Sequence, residues 1–124
     1  MDCIFCKIIN GEIPSYKLYE DDEFIVIMDI SPHANGHLLV ITKNHYSNLF
    51  DLDDTINNKL NDIVKRNYNM LNEKLNVEGA YIGNNVGNAQ EIKHFHMHII
   101  PAEKNINKEK IKDNVKNIYE KLIS

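Results

Sequence analysis

Several things are scarce in this chain of 124 residues, and each scarcity removes a class of protein. No apolar run approaches the ~20 residues that a membrane-spanning helix needs. The opening Met1-Asp2-Cys3-Ile4-Phe5 carries no basic segment of the kind that starts a secretory signal. A cytoplasmic protein without membrane contact is therefore expected. Lysine and arginine total 14 against 18 acidic residues and form no block, for a formal net charge of -4. That balance argues against a protein that tracks a nucleic-acid backbone. It leaves a small anionic ligand open, because the field inside a pocket can differ in sign from the net charge. Cysteine occurs only at Cys3 and Cys6. In a reducing compartment such a Cys-x-x-Cys pair is more often a metal half-site or a redox pair than a structural disulfide.

What is present suits one globular domain spanning residues 1–124, with no internal repeat or linker. The composition is 43% hydrophobic and 26% charged, and a chain of this length buries roughly two thirds of its unfolded surface. Apolar residues at 4, 5, 8 and 9 predict a short helix over Cys3–Ile9, closed by Asn10-Gly11. Short strands are expected at Lys17–Glu20 and Phe24–Asp29 around an acidic turn, and a buried strand at His37–Thr42. A long helix over Asp53–Leu75 would place Ile56, Leu60, Ile63, Val64, Leu71 and Leu75 on one face. Strands at Gly79–Ile82 and His94–Pro101 follow, separated by a loop rich in asparagine and glycine. The helical period returns over 107–122. Hairpins first, then a helix, then two more strands predict an α+β fold with an antiparallel sheet of about five strands.

The run His94-Phe95-His96-Met97-His98 concentrates the chemistry. Alternation at a period of two belongs to a strand, with imidazoles on one face and large apolar side chains on the other. A solvated strand face rarely carries three histidines in five positions. Two sharper readings are open on the residues alone: a metal site of clustered imidazoles, or a nucleophilic histidine with histidine helpers.

Other segments narrow this. Ile4-Phe5-Cys6-Lys7-Ile8-Ile9 with Glu12-Ile13-Pro14, then Tyr19-Glu20-Asp21-Asp22, follow a recognisable order. Met28-Asp29-Ile30-Ser31-Pro32, Gly36-His37-Leu38-Leu39-Val40-Ile41 and Lys43-Asn44-His45 continue it. With the histidine run, these segments resemble the histidine-triad (HIT) nucleotide hydrolases and transferases, over most of residues 3–52 and 79–101. The resemblance implies that His96 attacks the α-phosphate and forms a nucleotidyl-histidine that water resolves. His98 would contact the phosphate or leaving group, with His37 and Gln90 supporting. Asp29 would bind the ribose hydroxyls beside Ile30, and Ile4, Phe5, Ile8, Ile27 and Leu39 would lie near a purine. Phe95, where the transferase branch has proline, favours hydrolysis.

The resemblance further implies a structural zinc on Cys3, Cys6, His45 and His94, no catalytic metal, and a homodimer. The expected substrates are nucleoside phosphoramidates or aminoacyl-adenylates. Dinucleoside polyphosphates, or binding without turnover, are the competing readings. The chain also departs from the family pattern. Its loop before the triad is about one residue short, so the ligand-contacting asparagine is Asn84 or Asn85. Ala89 replaces a glycine, and Thr42 replaces a proline. Glu91 would repel phosphate if it pointed inward, and would then favour a cationic leaving group. His33 matches nothing in the pattern and reads as a surface histidine in a loop.

Overall fold

The computed structural model describes residues 3–102 and 114–124. Helix α1 (Ile4–Ile9) starts where the Cys3 thiol accepts a hydrogen bond from Cys6 N–H and ends at Asn10, before the left-handed Gly11. Strands β1 (Lys17–Glu20) and β2 (Phe24–Met28) form a hairpin. Its turn is fixed by Asp21, whose carboxylate accepts from the N–H groups of Glu23 and Phe24, the Tyr19 hydroxyl and the Lys59 ammonium. Burial alone would raise the Asp21 carboxyl, but those donors hold it down at about 2.

Strand β3 (Leu38–Thr42) pairs with β2, β5 (His96–Pro101) pairs with β3, and β4 (Ala80–Gly83) closes the order β1-β2-β3-β5-β4. Every pairing is antiparallel, as the order of elements predicts. Between β3 and β4 runs α2 (Asp54–Leu75), and α3 (Val115–Ile123) ends the chain. The predicted helix over 107–122 is seen from Val115 onward; residues 107–113 lie outside the described residues.

The sheet carries a buried apolar cluster on each face. Phe24, Val26, Met28, Leu38, Val40, Phe95 and Ile99 pack on one side against α2 and on Val115 and Leu122 of α3. Ile25, Ile27, Leu39 and Ile41 point to the other side, under Phe5 of α1. Strands β2 and β3 are buried at all positions for this reason, which explains their unbroken apolar runs. Each such side chain contributes roughly 1.5–3 kcal/mol of transfer free energy.

In α2, Asp53 accepts from Ile56 N–H at the N-cap and Asn76 terminates the helix at φ 53°. Ile56, Leu60, Ile63 and Leu71 are buried as expected, while Val64 and Leu75 are only partly so. Asn67 is buried among them, and its amide donates to the Ile63 carbonyl at 2.8 Å. That local bond lets a polar residue interrupt the stripe.

Gly36 links core to site. At φ +85°, a methyl group there would lie 2.8 Å from Leu75 Cδ1 and 3.0 Å from Leu71 Cδ2. Only glycine lets the loop settle on α2 and deliver His37 into the interior. Among the described residues, no helix is long and apolar enough to cross a membrane.

Candidate active site

A cavity of about 500 Å³ opens on the α1 face of the sheet, within the range of small-molecule sites. Its apolar wall includes Ile4, Phe5 and Ile8 from α1, Ile27 from β2 and Leu39 from β3. Asp29 and Ile30, just past β2, line it too, and so do His96 and His98 on β5. Among the described residues, neither lysine nor arginine lines it, and its carboxylates are Asp29 and Glu91.

The histidine run departs from the predicted strand at its start. Strand β5 begins at His96, not His94. Phe95 N–H donates to the Tyr46 carbonyl at 2.6 Å, and the His94 ring bonds the Thr42 carbonyl at 2.6 Å. His94 is thus held by its ring, ahead of the ladder. Beyond it the expected alternation holds: Phe95, Met97 and Ile99 face α2, while His96 and His98 face the cavity.

Backbone groups fix which nitrogen of each imidazole carries the proton. His96 Nδ1 lies 2.8 Å from the His94 carbonyl, so it bears hydrogen and leaves the Nε2 lone pair free. His33 N–H donates to His37 Nδ1 at 3.0 Å, so the His37 proton is on Nε2. That Nε2–H meets His98 Nδ1 at 2.9 Å, which puts the His98 proton on Nε2. Asp29 sits close by, with Oδ2 3.4 Å from His37 Nε2 and Oδ1 accepting from Ser31 N–H. Although the Asp29, His37 and His98 donor atoms cluster within 4.8 Å, a proton already occupies the space between the two rings. We read this group as a hydrogen-bond chain.

Burial drives His37 down to about 4, with His98 and His33 adding to the fall and Asp29 opposing it. Burial also lowers His98. A histidine depressed in the folded state contributes full stability above its unfolded value near 6.5 and loses it as pH falls toward the folded value. Between pH 6.5 and 4, His37 should therefore cost on the order of 3 kcal/mol of folding stability. Urea melts across that window should show the decline, and it should shrink in His37→Gln. A flat profile would refute burial of a neutral ring.

At the opposite end of the motif, Cys3 Sγ, Cys6 Sγ, His45 Nδ1 and His94 Nδ1 converge within 4.8 Å of one another. Cys3 Sγ and His94 Nδ1 are 3.3 Å apart, Cys6 Sγ and His45 Nδ1 3.3 Å, and the two Nδ1 atoms 3.1 Å. Tetrahedral zinc with two thiolates and two imidazoles separates its ligands by ~3.3–3.8 Å. His94 donates its only ring proton to Thr42, so its Nδ1 lone pair faces the thiols. The donor set fits a soft divalent cation.

A family model described as "Scavenger mRNA decapping enzyme C-term binding" matches residues 2–114. An uncharacterized HIT-like protein of Borreliella burgdorferi is 44% identical over 110 residues, covering 84% of this chain and 78% of the relative. This chain belongs to the HIT family. The adenosine 5'-monophosphoramidase HNT1 of Saccharomyces cerevisiae is 40% identical over 99 residues, 80% of this chain and 61% of that protein. A Hit-like protein from Bartonella henselae superposes with a TM-score of 0.81 at 35% identity, covering 97% of this chain and 96% of the other. A Zn-bound histidine triad protein from Mycobacterium smegmatis gives 0.77 at 29% identity, covering 98% and 96%. A HIT family hydrolase from Clostridium thermocellum gives 0.71 at 36%, covering 83% and 92%.

Not every residue that the HIT resemblance nominated reaches the cavity. Asn85 lines it. Asn84 instead braces the scaffold, its Oδ1 accepting from Leu49 N–H and its amide donating to the His96 carbonyl at 2.9 Å. Gln90 is buried, with Oε1 accepting from Gly87 N–H and Nε2 donating to the carbonyls of Ser47 and Ile92. Its amide shapes the loop, and neither Gln90 nor His37 lines the cavity. His33 is exposed, as a loop histidine should be, yet its ring lines the cavity 5.5 Å from that of His37. Tyr81 lines it as well and carried no sequence signal.

Proposed function

We propose that this chain hydrolyses nucleoside 5'-phosphoramidates or aminoacyl-adenylates at the α-phosphate through a covalent nucleotidyl-His96. The carrying observation is the free Nε2 of His96 at the edge of an apolar cavity, held by the His94 carbonyl. The nucleoside would lie over Ile27 and Leu39 beneath Phe5, with its ribose hydroxyls on Asp29 and its chain passing Ile30 and Asn85.

The bound phosphate's negative charge raises the proton affinity of His98, which takes a second proton from solvent on Nδ1 and would exchange its bond from His37 Nε2–H for one to the neighbouring Asp29 carboxylate. With a phosphoramidate, His96 Nε2 supplies the electron pair for the new N–P bond as the bond from phosphorus to the leaving nitrogen breaks. That nitrogen takes the Nε2 proton of His98, now neutral. Water next attacks phosphorus and gives its proton to His98, and the P–N bond to His96 breaks to release the nucleotide. His37 and Gln90 act as positioning residues, the first by orienting His98 and the second by shaping the loop.

The lining favours an amine over a polyphosphate leaving group, because among the described residues it offers the carboxylates of Asp29 and Glu91 and no lysine or arginine to neutralise extra phosphates. The phosphoramidase activity named for the yeast relative is consistent with this. Cys3, Cys6, His45 and His94 would hold a structural zinc that ties α1 to the sheet and takes no part in the chemistry. A homodimer is supported by β4, an edge strand that carries Ile82 exposed.

The test is AMP release from adenosine phosphoramidate and from diadenosine polyphosphates, each with and without chelator. Faster cleavage of the phosphoramidate, surviving chelator, is expected. Preference for the polyphosphates would move the chain to the competing hydrolase reading. Loss with chelator in a protein still folded by circular dichroism would mean a metal-dependent reaction. No turnover on any substrate would mean a binding module.

A further inference from the structure

On sequence alone a Cys-x-x-Cys pair is a metal half-site or a redox pair, and the functional reading above uses only the first. The fold gives Cys3 and Cys6 the features of the second as well. Both thiols are free; Cys6 is half-buried and Cys3 buried, so an oxidant reaches Cys6 first. Cys3 stands at the N-cap of α1 and Cys6 in its first turn, where the Cys3 sulfur already accepts from Cys6 N–H at 3.3 Å. The two sulfurs belong to a group of atoms all within 4.8 Å of one another. A disulfide, with its sulfurs ~2.05 Å apart, would close inside that one turn.

What this bond would undo lies across the fold. As metal ligands, Cys3 and Cys6 tie α1 to His45, just past β3, and to His94, just before β5. A disulfide between them satisfies both sulfurs within α1 and leaves neither for the imidazoles. Helix α1 has six residues, too few to persist without external ties. Its Phe5 ring lies 5.9 Å from the His94 ring and 4.9 Å from the His96 ring. Ile4, Phe5 and Ile8 form one wall of the cavity. The oxidation state of the two sulfurs is thus coupled to the cavity through a single turn of helix.

We propose that Cys3 and Cys6 are a site of reversible oxidation by hydroperoxides, whose disulfide expels the metal and loosens the α1 wall. What is expelled rests on the structural-zinc reading above. The Cys6 sulfur attacks a peroxide oxygen and the O–O bond breaks, giving a Cys6 sulfenic acid and, from hydrogen peroxide, water. The Cys3 sulfur then attacks the Cys6 sulfur, and the sulfenic oxygen departs as a second water. Two electrons pass from the sulfurs to the peroxide, and solvent supplies the two protons that metal-held thiolates lack. A small thiol reverses the step by exchange.

The experiment treats protein purified without chelator with hydrogen peroxide beside a chromogenic zinc indicator, and follows the tryptic peptide of residues 1–7 by mass. That peptide should lose two hydrogens, in step with release of about one zinc per chain. AMP affinity should fall about tenfold as the α1 wall loosens. Dithiothreitol with zinc should restore all three. In Cys3→Ser the sulfenic acid has no partner, so dimedone should trap it on Cys6; in Cys6→Ser the buried Cys3 should stay unlabelled. Methionine oxidation adds oxygen and does not mimic the loss of hydrogen. Should a serine variant fail to fold, the wild-type mass and affinity decide alone. If zinc is bound but the peptide stays reduced, passes straight to sulfinic acid, or forms the disulfide with AMP affinity unchanged, the oxidation site is wrong and the zinc reading stands. If the purified protein holds no zinc, the zinc reading fails and the expulsion falls with it.

Discussion

His96→Ala should abolish AMP release while leaving nucleotide affinity within roughly tenfold, about 1.4 kcal/mol. The ring contributes little to holding the nucleoside, whose contacts are assigned to the apolar wall and Asp29. Its removal takes away the lone pair that the backbone leaves free on β5: the His96 proton is committed to the His94 carbonyl, and the His98 proton points outward because His37 occupies its other nitrogen. Alanine keeps the strand, since the backbone of residue 96 still pairs with Ile41 and its carbonyl still accepts from Asn84. Single-turnover assays and calorimetric titration of AMP would separate the two effects. More than a few per cent of wild-type rate in the variant would remove His96 from the nucleophile's role.

The second large effect concerns the Cys/His cluster. Protein purified without chelator should contain about one zinc per chain by elemental analysis, and Cys3→Ser/Cys6→Ser should contain none. The same variant should melt lower by on the order of 10 °C. The cost is structural because α1 is only six residues long, too short to persist without external ties. Burial and the neighbouring Cys3 push the Cys6 thiol up to about 11 when no cation is present, so a metal would have to supply the charge that makes the Cys6 sulfur a ligand. Metal-free protein with an unchanged melting temperature would reject the site. Since Phe5 on α1 lies 4.9 Å from the His96 ring, the variant should also weaken nucleotide binding.

Much of this was readable before any coordinates. The unbroken apolar runs of β2 and β3 announced strands covered on both faces, and the Ile56, Leu60, Ile63, Leu71 stripe marked the helix that covers one of them. The family motif located His96, His98 and the four converging metal-type ligands. What stayed hidden depends on hydrogen bonds between distant segments. Alternation placed His94 in the strand, but its ring bond to Thr42, 52 residues away, takes it out. Asn84 and Asn85 are indistinguishable in sequence; only the bond from Leu49 N–H reveals the first as scaffold. Gln90 reads in sequence only as a residue supporting the site; its bonds to three backbone groups of the loop appear only in the fold. His33 looked like an ordinary loop residue because its placement depends on the left-handed Gly36 and the descent of the loop onto Leu71 and Leu75.

Strand β5 presents His96 and His98 to the cavity, while Ile99 and the preceding Phe95, both fully buried, face the opposite core. This separation bears on how such a protein can diversify. Stability is drawn mainly from the α2 side, so substitutions around the cavity rim, at Tyr81, His33 or Glu91, disturb few of the contacts that keep the chain folded. New substrate ranges are then reachable by single changes that a marginally stable domain survives. The reverse does not hold: truncating Phe95 would open a cavity in the core behind both histidines, at a cost of about 3–5 kcal/mol, leaving selection little freedom on that face.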